Sequence, residues 1–177
     1  VTATPTVQAP TSMLTVIPSP TLVPTNTPVP TPEVAFGTRE NPVPRGQSWL
    51  APSGWQIVVL DFNPDAWPVV QAASTSNHPP APDNRMVMIR LGTTNVSAKG
   101  LALLGAINFY LTGSSNLLYD TYSDESDCGM IPDKLAEEYF QGSSGEGNVC
   151  FEIPLDETDL LLLYQYAKDE YIFFAVE

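Results

Sequence analysis

Histidine and basic residues are scarce in this sequence, and each shortage argues against a class of protein. The chain contains seven Lys and Arg residues and twenty Asp and Glu residues, which gives a formal net charge of −13. Nucleic acids and anionic membrane surfaces both require a basic face, so neither is expected as a partner. The single histidine, His78, lies in the proline-rich stretch NHPPAP, and no GxSxG motif occurs, so no hydrolytic triad is expected.

Cysteine is also rare, because the chain contains only Cys128 and Cys150. Their spacing is not the CxxC of a redox or zinc site, and one histidine leaves a structural zinc ion short of ligands. The pair favours a disulfide and an oxidising, extracytoplasmic compartment, with two free buried thiols as the alternative. No apolar run reaches the ~20 residues that cross a bilayer, so no membrane span is expected.

Charge is missing altogether from residues 1–32, which hold eight prolines and nine threonines. This composition prevents helices and central strands and favours an extended polyproline II arm or linker, predicted over residues 1–36. One segment differs, because SMLTVIPS has no proline between Pro10 and Pro18 and could pair as a strand. Its apolar side chains, the candidate contacts of an assembly arm, are Met13, Leu14, Val16 and Ile17.

The rest of the chain, residues 37–177, has the alternating pattern of β-strands. Val87, Ile89 and Leu91 share one strand face, and GNVCFEIP places three further apolar side chains on one face. Hairpins are predicted around Gly113–Asn116 and between DLLLLYQYA and DEYIFFAVE. About seven such strands predict an all-β, antiparallel sandwich that follows the arm.

Two segments are predicted to depart from this pattern. PDKLAEEYF, residues 132–140, has proline at a first-turn position and apolar residues at helical spacing, which predicts a short helix or turn. DAWPVVQAASTSNHPPAPDN is long for a compact domain and is predicted to be a surface excursion or binding loop.

Four segments together resemble a known family, and the resemblance covers residues 37–177. They are GTRENPVPRG, CGMIPDKL, GNVCFEIP and YIFFAV, in that order. They are similar to the telokin-like, immunoglobulin-fold domain of unknown function found in bacterial secreted proteins and lipoproteins. The resemblance implies an immunoglobulin-like sandwich outside the cytoplasm, with Cys128 joined to Cys150, and it implies no catalytic residues. One departure is the turn QGSSGEG, where the family usually has a Pro-Gly-Gly turn.

Acidic residues are concentrated in the last third of the chain, where residues 120–177 hold fifteen acids and two lysines. A solubilising face explains this density, and a surface for cations or a basic partner is the alternative. Hard oxygen ligands this close could also hold a calcium ion, although the EF-hand spacing is absent. The candidate calcium ligands, within DTYSDESD, are Asp120, Asp124, Glu125 and Asp127.

Together these patterns predict a non-catalytic extracellular or cell-surface protein that needs no cofactor. The first hypothesis is a structural or interaction module, in which the arm packs on a neighbouring copy or on another cell-surface protein and builds a filamentous assembly. The second is a glycan- or metal-binding domain on a Thr/Pro stalk. In that case Trp49 and Trp67 could offer a sugar-stacking surface, while Trp55 is expected in the core.

Overall fold

The computed structural model describes residues 35–98, 100–105, 108–121, 128–135 and 138–177. Nearly all of the predicted arm, including its four apolar candidate residues, therefore lies outside the described residues, and the domain boundary at residue 37 stays a prediction. The described residues form nine strands and one helix: β1 Trp49–Leu50, β2 Trp55–Asn63, α1 Trp67–Ala73, β3 Asn84–Asn95, β4 Leu101–Leu103, β5 Phe109–Thr112, β6 Glu138–Phe140, β7 Ser144–Pro154, β8 Leu161–Ala167 and β9 Glu170–Ala175.

The strands form three antiparallel sheets. The largest has the order β1-β2-β3-β7, a second has the order β5-β8-β9, and β4 pairs with β6 in a two-stranded ribbon. The predicted all-β antiparallel sandwich is confirmed. The number of strands exceeds the predicted seven because β1, β4 and β6 are only two or three residues long. No helix among the described residues has the length and apolar character needed to cross a membrane.

The main core lies between the four-stranded and three-stranded sheets. Alternation along β3 sends Val87, Ile89 and Leu91 into this core, as the sequence predicts. Its largest fully buried side chains come from both sheets and include Ile57, Ile89, Phe109, Phe151, Leu162 and Phe174. The predicted hairpin in the last third of the chain forms β8 and β9 of the smaller sheet.

A second, smaller cluster lies on the other face of β3 and β7. It consists of Ala66, Val70, Met86, Met88, Cys128 and Cys150. Helix α1 covers it. DAWPVVQAASTSNHPPAPDN, predicted to be a surface excursion or binding loop, therefore contains a helix in its first part that the sequence analysis did not predict. The helix forms because Pro68 suits the first turn and Val70 is fully buried against the sheet.

The segment 132–140, predicted to be a short helix or turn, is a turn at its start and a strand at its end where the structure describes it. Pro132 and Asp133 form a turn, and Glu138–Phe140 is strand β6. The chain is held extended because the Leu135 amide donates to the Asn148 carbonyl at 3.0 Å, and Leu135 is 2% exposed in the main core. A Cβ at Gly147 would lie 2.3 Å from the Leu135 Cα, so glycine there lets the two backbones approach. Tertiary pairing thus overrides local helix propensity.

The predicted hairpin around Gly113–Asn116 is present in a shortened form. Strand β5 leads into the turn, and the returning chain forms a single bridge between Leu111 and Tyr119 within the described residues. The two backbone hydrogen bonds of this bridge are each 2.8 Å long.

Replacing Asn77 by alanine is expected to lower the free energy of unfolding by about 1–2 kcal/mol, because three hydrogen bonds disappear. Its Nδ2 donates to the carbonyls of Val70 and Met130 at 2.6 and 2.7 Å, and its Oδ1 accepts from the Met130 amide at 2.9 Å. Urea denaturation measures the change. The exposed neighbour variant Thr75→Ala is the control, and an equal loss in both variants would contradict a specific link between α1 and the disulfide segment.

Candidate functional site

A buried carboxylate, Glu157, organises one end of the sandwich. It follows β7 in the connection to β8, and its residue is only 3% exposed. Its Oε1 accepts hydrogen bonds from the Ser115 amide at 2.8 Å and the Ser114 hydroxyl at 3.0 Å. Its Oε2 accepts from the Ser115 hydroxyl at 2.6 Å and the Tyr119 hydroxyl at 2.5 Å. These four residues are called the Glu157 cluster below.

The hydrogen bonds determine the charge of this carboxylate. Burial by itself raises the pKa of Glu157, but the hydrogen bonds from Ser115, Tyr119 and Ser114 outweigh it and lower the pKa from 4.5 to about 2. Burial and the bond to Glu157 raise the pKa of Tyr119, so that side chain remains a donor. A general acid or base works best with a pKa near the operating pH. Glu157 is therefore suited to holding a loop and unsuited to proton transfer at neutral pH.

The loop from Gly113 to Tyr119 is fixed at both ends by this cluster and its neighbours. A Cβ at Gly113 would lie 2.5 Å from the Thr158 carbonyl oxygen and 2.6 Å from the Glu157 Oε1, so glycine is required for the close approach. The Arg39 Nη2 donates to the Gly113 carbonyl at 2.8 Å. The loop is therefore anchored on three sides: by the segment that precedes β1, by the β7–β8 connection and by its own bridge to β5.

Three exposed leucines stand on the loops joined by the Glu157 cluster. Leu117 and Leu118 occupy the tip of the anchored loop and are 59% and 54% exposed. Leu155, 59% exposed, lies two residues before Glu157 on the β7–β8 connection. The two loops that carry Leu117, Leu118 and Leu155 are called the leucine loops below. Large apolar side chains held in solvent by an ordered scaffold are typical of an interaction surface.

A second apolar surface lies on the two-stranded ribbon of β4 and β6. Ala102 faces Tyr139 across the ribbon, and both pack on the main core. The alternate positions point outward, so that Leu101 pairs with Phe140 and Leu103 with Glu138. The outward residues Leu101, Leu103 and Phe140, called the apolar ribbon face below, are 49%, 69% and 70% exposed.

The ribbon is attached to the sandwich through Asn95 at the end of β3. The Asn95 Nδ2 donates to the Tyr139 carbonyl at 2.9 Å, and the Asn95 carbonyl accepts from the Gly142 amide at 2.7 Å. The Tyr139 ring also packs edge-on against Trp55, with ring centroids 5.3 Å apart. The ribbon is thus firmly seated on its inner side, and its apolar outer side is an intact surface.

A groove of about 400 Å³ crosses the outer face of the four-stranded sheet. It is formed around Gly92, where a Cβ would lie 2.9 Å from the Val58 Cγ1. Its floor is apolar and its rim carries hydroxyl groups, with Thr94 and Ser144 hydrogen-bonded at 2.8 Å. The lining residues are Ser48, Gln56, Val58, Leu60, Gly92, Thr93, Thr94, Ser144, Gly145 and Glu146, none of which is aromatic.

The structure places the sequence-predicted site residues as follows. Cys128 and Cys150 are joined by a disulfide, with a Cα–Cα distance of 6.1 Å, as the family resemblance implies. Of the calcium candidates only Asp120 lies within the described residues, so this hypothesis stays untested. The described parts of the chain contain no cluster of three or more His, Cys, Asp or Glu that could hold a metal ion. His78 is exposed.

The three tryptophans pack in different surroundings. Trp55 is 3% exposed in the main core, as predicted. Trp49 is half-buried against that core and packs on Phe36, with ring centroids 5.2 Å apart. Trp67 is half-buried against the disulfide cluster. The structure therefore does not bring Trp49 and Trp67 together on one sugar-stacking surface.

No protein-family model and no curated protein matches the chain. Several solved structures are similar to it. The candidate lipoprotein YcdA of Bacillus subtilis superposes with a TM-score of 0.51 at 15% identity, over 73% of this chain and 38% of that one. The chain thus spans well under half the length of YcdA, and the likeness shows a shared fold.

Two further structures superpose with a TM-score of 0.49. The secreted protein MPT63 of Mycobacterium tuberculosis is 12% identical over 76% of this chain and 97% of that one. The YjhA protein of Bacillus subtilis is 10% identical over 76% of this chain and 99% of that one. The immunoglobulin-like fold and membership of the telokin-like family stay predictions.

Proposed function

We propose that this chain is a non-catalytic structural and interaction module of an extracellular or cell-surface assembly, and that its N-terminal arm connects neighbouring copies. The observation that carries the proposal is the exposure of large apolar side chains on two anchored surfaces, the leucine loops and the apolar ribbon face. Soluble monomers rarely expose apolar patches of more than a few hundred Å², and larger ones mark sites of association.

An extracytoplasmic location is supported by the buried disulfide between Cys128 and Cys150, because such bonds persist in oxidising compartments. The description of the fold relative YcdA as a candidate lipoprotein agrees with this location. The acidic balance of the chain, at −13, keeps a secreted domain soluble and repels anionic surfaces.

A non-catalytic role is supported by the way the buried carboxylate of Glu157 is used. All four hydrogen bonds to Glu157 come from the loop that it anchors, and its lowered pKa keeps it ionised at neutral pH. The role of the cluster is thus to hold the leucine loops in place. A rigid apolar loop binds with a smaller loss of conformational entropy than a mobile one.

The role of the arm as the connector is supported by its sequence. The segment from Met13 to Ile17 is the one part of residues 1–32 that combines several large apolar side chains with a run free of proline. Such a segment can add as a strand to the sheet edge of another copy, with main-chain hydrogen bonds giving affinity and side chains giving specificity. Head-to-tail addition of this kind builds an open chain of subunits.

Changing Met13, Leu14, Val16 and Ile17 together to serine in the full-length chain is expected to abolish self-association. Each buried apolar side chain contributes about 1.5–3 kcal/mol, so the loss of even two weakens association at least ~100-fold. Sedimentation velocity over a range of concentrations measures the effect.

The matched control is Leu22→Ser with Val23→Ser, which removes apolar side chains from the proline-rich spacer and leaves the pairing segment intact. It is expected to associate like the parent. A parent protein that stays monomeric at all concentrations, or a quadruple variant that associates as tightly as the parent, would overturn the arm as connector.

A further inference from the structure

We infer that the apolar ribbon face is the receptor for the arm, and that residues 13–17 of a neighbouring copy add alongside β4 as a third strand of the ribbon. The inference rests on the proposed function, in which the arm connects copies. It adds the site on the neighbouring copy to which the arm binds. Four observations carry it: the incomplete ribbon, the pattern of the arm, the distribution of charge and the length of the spacer.

The ribbon is incomplete by itself. It has two strands of three residues each, and although its inner side packs on the main core, a two-stranded sheet leaves strand edges open to further pairing. Strand β6 lies beside β3, so β4 is the outer strand and its far edge has no strand partner among the described residues. An unpaired edge beside an exposed apolar face is a ready site for strand addition.

The arm segment has the complementary pattern. In an extended strand Leu14 and Val16 point to one side, while Met13, Thr15 and Ile17 point to the other. Either set can continue the outward surface of Leu101 and Phe140. Every residue from 11 to 17 keeps its backbone N–H, whereas the prolines elsewhere in the tract interrupt a continuous ladder.

The distribution of charge favours the arm over any other part of a second copy. Residues 1–32 carry no charge, so the whole net charge of −13 belongs to the rest of the chain. Glu138 lies on the ribbon itself, opposite Leu103. Two acidic domains repel each other when their faces meet, whereas an uncharged strand docks beside Glu138 without this repulsion.

The length of the spacer favours a neighbouring copy over the same chain. Seventeen residues separate Ile17 from Ala35, where the described chain begins. In polyproline II, at ~3.1 Å per residue, they span about 55 Å, which exceeds the ~40 Å width of a compact domain of this size. Six prolines in this spacer favour a stiff, extended chain.

The test compares full-length variants by sedimentation velocity and by mixing. The ribbon variant is Leu103→Ser with Phe140→Ser, and the arm variant is the serine quadruple described above. The control is Leu50→Ser with Met130→Ser, because both residues are 60% exposed and lie outside the two apolar surfaces. Because Leu103 and Phe140 are mostly exposed, the ribbon variant is expected to keep the circular dichroism spectrum and melting temperature of the parent. Its self-association is expected to weaken at least 100-fold, and that of the control less than threefold.

Mixing the arm variant with the ribbon variant gives the sharpest result. One supplies an intact ribbon and the other an intact arm, so the mixture is expected to form a two-chain complex and nothing longer, although each variant alone is monomeric. A ribbon variant that associates like the parent, while the arm variant does not, overturns the ribbon as receptor and leaves the arm as connector. If both variants associate like the parent, the proposed function fails as well.

Crosslinking in the full-length chain distinguishes an arm supplied by a neighbouring copy from an arm of the same chain. A photo-crosslinking amino acid introduced at Leu103 is expected to form a crosslink to residues of the arm. The crosslinked species is expected to have twice the mass of one chain, which is 19.2 kDa. Arm crosslinks confined to the single-chain species would show that each ribbon holds its own arm, and would overturn the neighbouring copy as occupant. Association lost in a Leu117→Ser, Leu118→Ser variant but kept in the ribbon variant would move the receptor to the leucine loops.

Discussion

Replacing Cys128 and Cys150 together by alanine is expected to lower the free energy of unfolding by about 3 kcal/mol. The disulfide closes a segment with a sequence separation of 22 residues. In the chain-entropy model, a loop of that length restricts the unfolded chain by roughly this amount. For a domain of this size the melting temperature is then expected to fall by about 10 °C.

The packing around the disulfide allows the stability of the double alanine variant to be compared directly with that of the parent. Both cysteines are 4% exposed and lie among Met86 and Met88 below α1. Methionine side chains adapt to small changes in volume, so the alanine variant is expected to remain folded with a slightly looser second cluster. Thermal melts with and without a reducing agent measure the effect. The melting temperature of the parent in reductant is expected to match that of the alanine variant. The melting temperature of the variant is expected to be the same with and without reductant.

The opposite result is as easily recognised. If the double alanine variant melts within about 2 °C of the parent, the constraint on the unfolded chain is not what stabilises this end of the fold. The contacts between α1 and β3 would then account for its stability. The Asn77→Ala variant described above probes those contacts separately, because its hydrogen bonds tie α1 to Met130 beside the disulfide.

The sandwich could be predicted because its strands carry a local signal. Val87, Ile89 and Leu91 alternate with residues of another face, and this period of two survives in the structure. The elements that the sequence analysis missed are those whose conformation depends on distant partners. Leu135 is extended because Asn148 binds its backbone, and α1 forms because Val70 can be buried against β3. Neither partner is visible from local composition.

The candidate sites also divide into those with a local sequence signal and those that depend on distant partners. The disulfide followed from rare residue types and from the family resemblance, since two cysteines leave one possible pair. The Glu157 cluster was not predicted, because Glu157 lies in DETD, which has the composition of an ordinary turn. Its partners Ser114 and Ser115 are more than forty residues away in the chain. These loops come together because β5 pairs with β8 and because the chain crosses from β7 in the other sheet to β8.

Replacing Glu157 by glutamine is expected to lower the free energy of unfolding at neutral pH by about 2–3 kcal/mol, because hydrogen bonds to an ionised acceptor are lost. Glutamine keeps one acceptor oxygen but turns an NH₂ group toward the hydroxyls of Ser115 and Tyr119. The leucine loops then lose one of their anchors. Chemical denaturation measures the stability, and cleavage after Leu117 or Leu118 by a protease of chymotryptic specificity measures the loop.

The dependence on pH identifies the carboxylate as the cause. The pKa of Glu157 falls from 4.5 to about 2 on folding, so the unfolded chain binds the proton more tightly. This stabilisation is complete above about pH 5.5 and is lost as the pH falls through 4.5 toward 2. The difference in stability between the parent and Glu157→Gln is therefore expected to shrink over this range, although other carboxylates titrate in both proteins.

The neighbouring variant Asp156→Asn removes the same charge from an exposed position. It is expected to change the stability by less than about 0.5 kcal/mol and to leave protease cleavage of the loop unchanged. A difference between the parent and Glu157→Gln that is constant from pH 7 to pH 2.5 would show that shape, and not charge, explains the loss. Equal destabilisation by Asp156→Asn would reduce the Glu157 cluster to one part of a general acidic surface, and the anchored leucine loops would lose their physical basis.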